Sequence, residues 1–209
     1  MAMGFIPLPE GGRAGVCGRA MYRDGRVCGF AEITAINIRI HRNIPLFALP
    51  LAEEYKKNGL RSALVCAPPA LGKTTFLRSA AYLLSRGKIM PPKRVAIADE
   101  RCEIAPGIEN CGILDVLSGA PKAFAISLLT RSMAPEVIIC DEISPEESQA
   151  VAEAQNTGVC VIASAHGNSP KDILKRGRMR ALLEERLFPL TVVIGRGYEC
   201  KIFETEEFL

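Results

Sequence analysis

One stretch of the chain decides the fold, and it runs Ala67-Pro68-Pro69-Ala70-Leu71-Gly72-Lys73-Thr74-Thr75. It lies between an apolar, strand-like run and an amphipathic, helix-like segment. The Walker A pattern G-x-x-x-x-G-K-[ST] matches it, except that Ala67 stands in place of the first glycine. In such a loop, backbone N–H groups surround phosphates at a helix N-terminus. We therefore predict that residues 67–75 bind a nucleoside triphosphate.

Three residues of this loop have specific predicted roles. Lys73 is expected to neutralise the β- and γ-phosphates, and the Thr74 hydroxyl is expected to bind Mg²⁺. Gly72 allows the main chain to approach the phosphates closely. The alternative is an ordinary turn that ends at a glycine before a helix, and a second acidic motif downstream argues against it.

The second motif is Val137-Ile138-Ile139-Cys140-Asp141-Glu142, an apolar run that ends in two carboxylates. It has the form of a Walker B segment. We predict that Asp141 holds Mg²⁺ and that Glu142 positions the water that attacks the γ-phosphate. Taken alone, such a run is more often a plain strand end. Its place downstream of a phosphate loop indicates a site.

Two further predicted strands also end in polar residues. Asp99 and Glu100 follow the predicted strand 94–98, and His166 follows the predicted strand 159–163. We predict Asp99 as a further metal ligand, Glu100 as an aid to the attacking water, and His166 as a contact of the γ-phosphate. Solvated strand-end charges and a structural histidine are the competing interpretations. Because ligands of open α/β sheets bind at the carboxyl ends of the strands, these residues are predicted to converge.

The order of segments predicts an α/β fold. From residue 62 onward strand, loop and helix alternate, which is typical of a mostly parallel central sheet flanked by helices. We expect residues 1–45 to form a small β-rich appendage with a hairpin turn at Asp24-Gly25, and residues 46–209 to form the P-loop NTPase domain. The predicted helices are 46–58, 74–85, 122–133, 146–156 and 171–187; the predicted strands are 16–22, 26–30, 33–40, 63–66, 94–98, 137–140, 159–163, 191–194 and 199–203.

Composition narrows the class of protein. The 209 residues are 48% hydrophobic and 23% charged, which is globular, and the net charge is +3. We expect no nucleic-acid partner, since the densest basic run, residues 175–180, is interpreted as a solvated helix face. No signal peptide or membrane-length apolar run is present in the sequence, so we expect a cytoplasmic protein. Of the eight cysteines, Cys66, Cys140 and Cys160 are predicted to be reduced core residues.

The order of these motifs resembles that of the secretion-type ATPases, the RecA-like motors of type II and type IV secretion. Residues 99–104 look like their acidic "Asp box", residues 134–142 like their Walker B segment, and Ser164-Ala165-His166-Gly167 like their "His box". A closer resemblance is to the stage III sporulation protein AA family. It extends over nearly all residues and rests on residues 36–40, 68–69 with 72–75, 99–101, 131–133 and 165–167.

The resemblance implies a RecA-like ATPase that uses ATP and Mg²⁺. It implies a homo-oligomer, a hexameric ring, that works in the cytoplasm of the mother cell of an endospore-forming bacterium. Its partners would be the membrane channel proteins that connect mother cell and forespore during engulfment. The family carries a further N-terminal region, so we expect this chain to be shortened or divergent at its start.

Two alternatives stay open at this point. One is a RecA-like motor that nucleic acid stimulates, which would show salt-sensitive binding to DNA or RNA. The other is a nucleotide-binding scaffold with little turnover. Ala67 favours this second alternative, and so does Ser144-Pro145, which stands where the family usually has Gly-Arg.

Overall fold

A computed structural model of the chain describes residues 5–8, 13–39, 44–106, 108, 112–167, 172, 174–175 and 177–209. The chain divides into two compact units, Met1–Arg42 and Asn43–Leu209. Ile40, the last residue of a predicted strand, Cys111, and Lys171, the first residue of a predicted helix, lie outside the described residues.

The first unit contains a three-stranded antiparallel sheet. Its strands pair in the order β1-β2-β3, with β1 at Phe5–Pro7, β2 at Arg13–Arg23 and β3 at Arg26–Arg39. The predicted hairpin turn is confirmed, since Asp24 and Gly25 join β2 to β3 with φ values of +51° and +73°. Two residues with positive φ give a turn whose twist matches that of the strands. The two strands predicted after this turn are a single strand.

The second unit contains a seven-stranded sheet in the order β10-β9-β4-β8-β7-β5-β6. All neighbours are parallel except the pair β9–β10. The strands are β4 (Ala63–Ala67), β5 (Val95–Asp99), β6 (Leu114–Ser118), β7 (Val137–Glu142), β8 (Cys160–His166), β9 (Leu190–Ile194) and β10 (Cys200–Glu204). The helices are α1 (Leu49–Asn58), α2 (Lys73–Arg86), α3 (Lys122–Ser132), α4 (Ser148–Asn156) and α5 (Gly177–Glu184).

Both faces of this sheet are covered. On β4, Val65 packs in a core with helices α1 and α2, whereas Leu64 and Cys66 pack in a second core with α3, α4 and α5. Because successive side chains of a strand point to opposite faces, a strand covered on both sides is apolar throughout. Cys66, Cys140 and Cys160 are buried thiols in these cores, as predicted.

Two parts of the second unit differ from the prediction. Strand β6 was not predicted, because it is an edge strand whose residues are half-buried or exposed and whose sequence lacks a continuous apolar run. The predicted helix that extends to Leu187 ends earlier, at Glu184. Arg186 has a φ of +56°, which an α-helix does not accommodate.

Candidate functional site

The carboxyl ends of four neighbouring parallel strands form one edge of the sheet. The order is β4, β8, β7 and β5. Ala67 at the end of β4 pairs with His166 of β8, Glu142 of β7 pairs with Ser164 of β8, and Ala98 of β5 pairs with Cys140 of β7. The structure therefore brings together the residues from the phosphate loop, the two acidic motifs and the histidine.

The phosphate loop connects β4 to α2. Ala67 is the last residue of β4 and is fully buried in a regular parallel ladder. The backbone turns at Ala70, where φ is +63°, and at Gly72, where φ is +89°. A Cβ atom at Gly72 would lie 3.1 Å from Cε1 of Phe47, so both conformation and space favour glycine there. The left-handed conformation therefore falls on positions 70 and 72, not on the altered position 67.

Lys73 begins α2, and its ammonium group is turned toward the start of the loop. Nζ donates to the carbonyl oxygens of Ala67 at 3.0 Å and Pro68 at 3.3 Å, and it lies 2.7 Å from Nδ1 of His166. Burial lowers the pKa of Lys73, while the charge of Glu142 opposes the shift. Main-chain carbonyls and an imidazole thus take up the hydrogen bonds of this cation.

His166 joins Lys73 to Glu142. Its Nε2 lies 3.1 Å from Oε2 of Glu142, opposite the nitrogen that faces Lys73. An ammonium group can only donate, so Nδ1 accepts from Lys73 and Nε2 carries the proton that it donates to Glu142. This bonding fits the neutral imidazole. A chain of hydrogen bonds therefore runs from the phosphate-loop lysine through His166 to the Walker B glutamate.

Asp141 has a different cationic partner, Lys122. Nζ of Lys122 lies 3.0 Å from Oδ1 of Asp141 and 3.7 Å from Oε2 of Glu100, and it donates to the main-chain carbonyl of Glu142. Burial opposes the charge on Lys122, but the ion pair with Asp141 outweighs it and raises the pKa of Lys122. Burial raises the pKa of Asp141, and Lys122 opposes that shift. The sequence motifs gave no signal for Lys122.

A β-bulge sets the direction of the Walker B carboxylates. Cys140 pairs with Ala163 and Glu142 pairs with Ser164, so Asp141 is an extra residue on β7. Such an insertion leaves one residue outside the ladder and re-aims the neighbouring side chains. Asp141 is consequently buried, whereas the side chain of Glu142 is 42% exposed at the sheet edge.

Asp99 binds main-chain groups, which differs from the metal role that the sequence predicts. Its Oδ1 accepts from the N–H of Glu103 at 2.8 Å. Its Oδ2 accepts from Ile104 at 3.0 Å and Ala105 at 2.9 Å. The side chain is fully buried, and each oxygen is already used. Asp99 therefore fixes the loop after β5.

Arg78 donates hydrogen bonds to main-chain carbonyls of the same loop. This residue of α2 is 2% exposed, and it donates from Nε to the carbonyl of Ile104 at 3.0 Å and from Nη2 to that of Glu103 at 2.7 Å. The loop is thus connected to the helix that starts at the phosphate loop. Sequence reasoning missed Arg78, because a cation on an amphipathic helix normally indicates the exposed face.

The residues present fit a magnesium ion that is held together with phosphate. Oδ1 of Asp141 is buried and, apart from the ion pair with Lys122, no described group bonds to it. Thr74 offers a hydroxyl in the first turn of α2. Mg²⁺ prefers hard oxygen ligands and usually takes one or two carboxylates plus substrate phosphates. Among the described residues, no group of three His, Cys, Asp or Glu side chains is placed to hold a metal by itself.

Comparison with known sequences gives the family. A family model for sporulation stage III, protein AA, matches residues 1–202. Stage III sporulation protein AA of Bacillus subtilis (strain 168) is 40% identical over 202 residues, 93% of this chain and 66% of that protein. The uncharacterised protein ycf45 of Cyanidium caldarium is 32% identical over 157 residues, 70% of this chain and 44% of that protein. The chain thus spans less than two thirds of these curated relatives.

Comparison with solved structures confirms the predicted fold class. The ATPase DotB of Legionella pneumophila gives a TM-score of 0.58 at 16% identity, over 91% of this chain and 56% of that one. The pilus retraction motor PilT gives 0.57 at 19% identity, over 87% and 54%. At such identities the likeness shows the fold alone, which is that of the RecA-like secretion ATPases. With the family model covering nearly the whole length and a curated relative at 40% identity, the chain belongs to the stage III sporulation protein AA family.

Proposed function

We propose that this chain binds ATP at residues 67–75 and hydrolyses it with Mg²⁺. The observation that carries the proposal is the chain Lys73–His166–Glu142, which joins the loop lysine to the Walker B glutamate at 2.7 Å and 3.1 Å. A lysine for the phosphate oxygens and a residue that orients the attacking nucleophile are recurring parts of sites that catalyse phosphoryl transfer. The solved structure of PilT, which shares the fold, contains bound ADP.

Lys73 is the residue that must move when nucleotide binds. Its bonds to the carbonyls of Ala67 and Pro68 are neutral, and phosphate oxygens are stronger acceptors for an ammonium group. As Lys73 turns to the β/γ oxygens, His166 loses the donor at Nδ1 and keeps its Nε2–H toward Glu142. The imidazole thereby keeps the carboxylate of Glu142 oriented.

Glu142 then orients the attacking water and accepts its hydrogen bond. Its side chain is 42% exposed, so water has access to it, while Asp141 beside it is buried. Asp141 and the Thr74 hydroxyl would hold Mg²⁺, which supplies positive charge against the phosphate oxygens. Glu100, 43% exposed and 3.7 Å from Lys122, lies on the same edge and would assist in ordering the water. For Asp99 we propose a scaffold role in place of the metal role.

The test separates binding from turnover. Lys73→Ala should abolish ATP binding in calorimetry, and unchanged affinity would contradict the phosphate-loop assignment. Glu142→Gln should keep ATP affinity and lower hydrolysis by at least about 100-fold, the lower end of the effect of a positioned acid or base. Glu136→Gln is the matched control, since Glu136 pairs with Lys93 at 3.0 Å next to the opposite end of β7. It should hydrolyse ATP at the wild-type rate.

We further propose that this ATPase serves the mother cell–forespore channel complex, from the mother-cell cytoplasm and as a homo-oligomer. Membership of the sporulation family supports the setting, and the fold shared with DotB and PilT supports a motor. Within the described part of the chain, no helix has the length and apolar character needed to cross a membrane. We propose that its contact with the membrane comes through its channel partners. Particle size and ATPase rate, measured together with and without nucleotide, test the assembly.

The same measurements distinguish the two alternatives. ATP binding without hydrolysis, even in an assembled particle with its membrane partner, would identify a nucleotide-binding scaffold. Stimulation of hydrolysis by DNA or RNA, lost as salt is raised, would identify a nucleic-acid motor. With a net charge of only +3, we expect no such stimulation.

A further inference from the structure

Lys122 is a buried cation in the middle of the acidic edge. Its side chain is only 7% exposed, and its ammonium group contacts three residues there. Among these contacts, two are to carboxylates, Oδ1 of Asp141 at 3.0 Å and Oε2 of Glu100 at 3.7 Å, and one is to the main-chain carbonyl of Glu142. One lysine thus connects the Walker B strand with the residue that follows β5.

The position of Lys122 on its helix is electrostatically unfavourable. It is the first residue of α3, and no acidic residue stands in the first turn of that helix. The N-terminus of a helix carries partial positive charge, so a lysine there is destabilising unless carboxylates outside the helix compensate. Gly119 holds the helix start beside β5, since its N–H donates to the carbonyl of Asp99 at 3.0 Å. The ion pair with Asp141 supplies the compensation.

Asp141 in turn needs a partner outside its own strand. It is the extra residue of the β-bulge, so the ladder between β7 and β8 does not fix its position. Its Oδ1 is buried, and the ammonium of Lys122 is the partner that the described structure provides for this oxygen. Asn, Ser or main-chain N–H groups often hold a metal-binding carboxylate in place. Here the group that holds the Asp141 carboxylate is the positively charged ammonium of Lys122.

We propose that Lys122 is a positioning residue, which holds the Asp141 carboxylate through Oδ1 in the orientation that binds magnesium or its coordinated water. The inference rests on the proposed nucleotide site. Residues that orient a metal ligand typically contribute 10- to 100-fold to metal affinity or activity. Replacing Lys122 should therefore weaken the part of the nucleotide affinity that depends on magnesium. The part that depends on the phosphate loop should stay unchanged.

The experiment measures a ratio, the magnesium advantage. It is the Kd of ADP in EDTA divided by its Kd in Mg²⁺, both from calorimetry on the full chain. In Lys122→Met the advantage should fall by about tenfold, while the Kd in EDTA stays within about twofold of wild type. Lys93→Met is the matched control, because Lys93 makes an ion pair of the same 3.0 Å length with Glu136 next to the other end of β7. Its magnesium advantage should equal that of the wild type.

A double-mutant cycle tests the route through Asp141. Asp141→Asn should lower the magnesium advantage, and adding Lys122→Met to it should lower it no further. An unchanged or increased advantage in Lys122→Met would overturn the proposal, and an increase would mean that the lysine competes with magnesium. A further loss in the double variant would also overturn it, because Lys122 would then act by another route.

Two results separate this inference from the proposed function. If the wild type binds ADP without any magnesium advantage, the proposed magnesium role of Asp141 is wrong and the inference falls with it, while Lys73→Ala still tests the phosphate loop. If the wild type shows the advantage and Lys122→Met retains it, only the inference fails. Should Lys122→Met not fold, Lys122→Ala, which likewise removes the donor to Oδ1 of Asp141, is measured in its place, with the same expected loss.

Discussion

Replacing Asp99 by asparagine tests whether its carboxylate has a structural role or is a metal ligand. Asp99 accepts N–H groups from Glu103, Ile104 and Ala105 at 2.8, 3.0 and 2.9 Å. Asparagine has one oxygen acceptor, so it can keep the bonds of Ile104 and Ala105, while its amide NH₂ faces the N–H of Glu103. One charge-assisted bond is lost, at about 1.5–3 kcal/mol, and two others become neutral, at about 0.5 kcal/mol or more each. We expect a loss of about 3 kcal/mol in the free energy of unfolding.

Urea denaturation measures this loss. With a slope of about 2–3 kcal/mol per molar urea, 3 kcal/mol moves the midpoint by about 1 M. Asp115→Asn is the control, because Asp115 is a half-buried carboxylate on the neighbouring strand β6 and should shift the midpoint by no more than about 0.2 M. The magnesium advantage for ADP should be unchanged in Asp99→Asn. A midpoint like that of the control, together with a lost magnesium advantage, would refute the scaffold role and restore the metal role.

Three further predictions concern the loop and the cysteines. Ala70→Gly should raise the unfolding free energy by about 1 kcal/mol in urea denaturation, because φ is +63° and this conformation is costly for alanine; a loss would contradict it. Gly72→Ala should lower the unfolding free energy by about 1–3 kcal/mol and weaken ATP binding, since φ is +89° and Phe47 lies 3.1 Å from the added Cβ. Unchanged melting and affinity would show that the loop relaxes freely. Burial raises the pKa of the thiols of Cys140 and Cys160 to about 12, so at pH 8 they should resist alkylation. Mass spectrometry should find label on Cys17, Cys28 and Cys102, the exposed thiols among the described residues, before it finds label on these two.

Local sequence patterns are sufficient to predict the strands in the interior of the sheet and the residues that meet at its carboxyl edge. The apolar runs of β4, β5, β7 and β8 are continuous because helices cover both faces, and such runs are visible in the sequence. The convergence of Lys73, Glu142 and His166 follows from parallel strands that end at one edge. For these features, the parallel direction of the strands, which the alternation of strand and helix predicts, brings the motifs to the same edge.

The features that the sequence could not predict depend on tertiary contacts. Strand β6 is recognisable only by its pairing with β5, because an edge strand has no continuous apolar run. Lys122 and Arg78 are buried cations whose partners lie 19 or more positions away along the chain, so nothing local distinguishes them from surface residues. Asp99 has a motif position that suggests metal binding, and only the structure shows that main-chain groups use both of its oxygens.

The ammonium group of Lys73 bonds to the start of its own loop, and this has a consequence for selectivity among anions. Its ammonium group already has three acceptors, two carbonyls and an imidazole nitrogen. An incoming anion must displace these acceptors, and free phosphate compensates less for their loss because it spans fewer N–H groups of the loop than a polyphosphate does. A nucleotide can displace them because its polyphosphate also occupies the N–H groups of the loop. We expect the protein to bind inorganic phosphate more weakly than nucleotide.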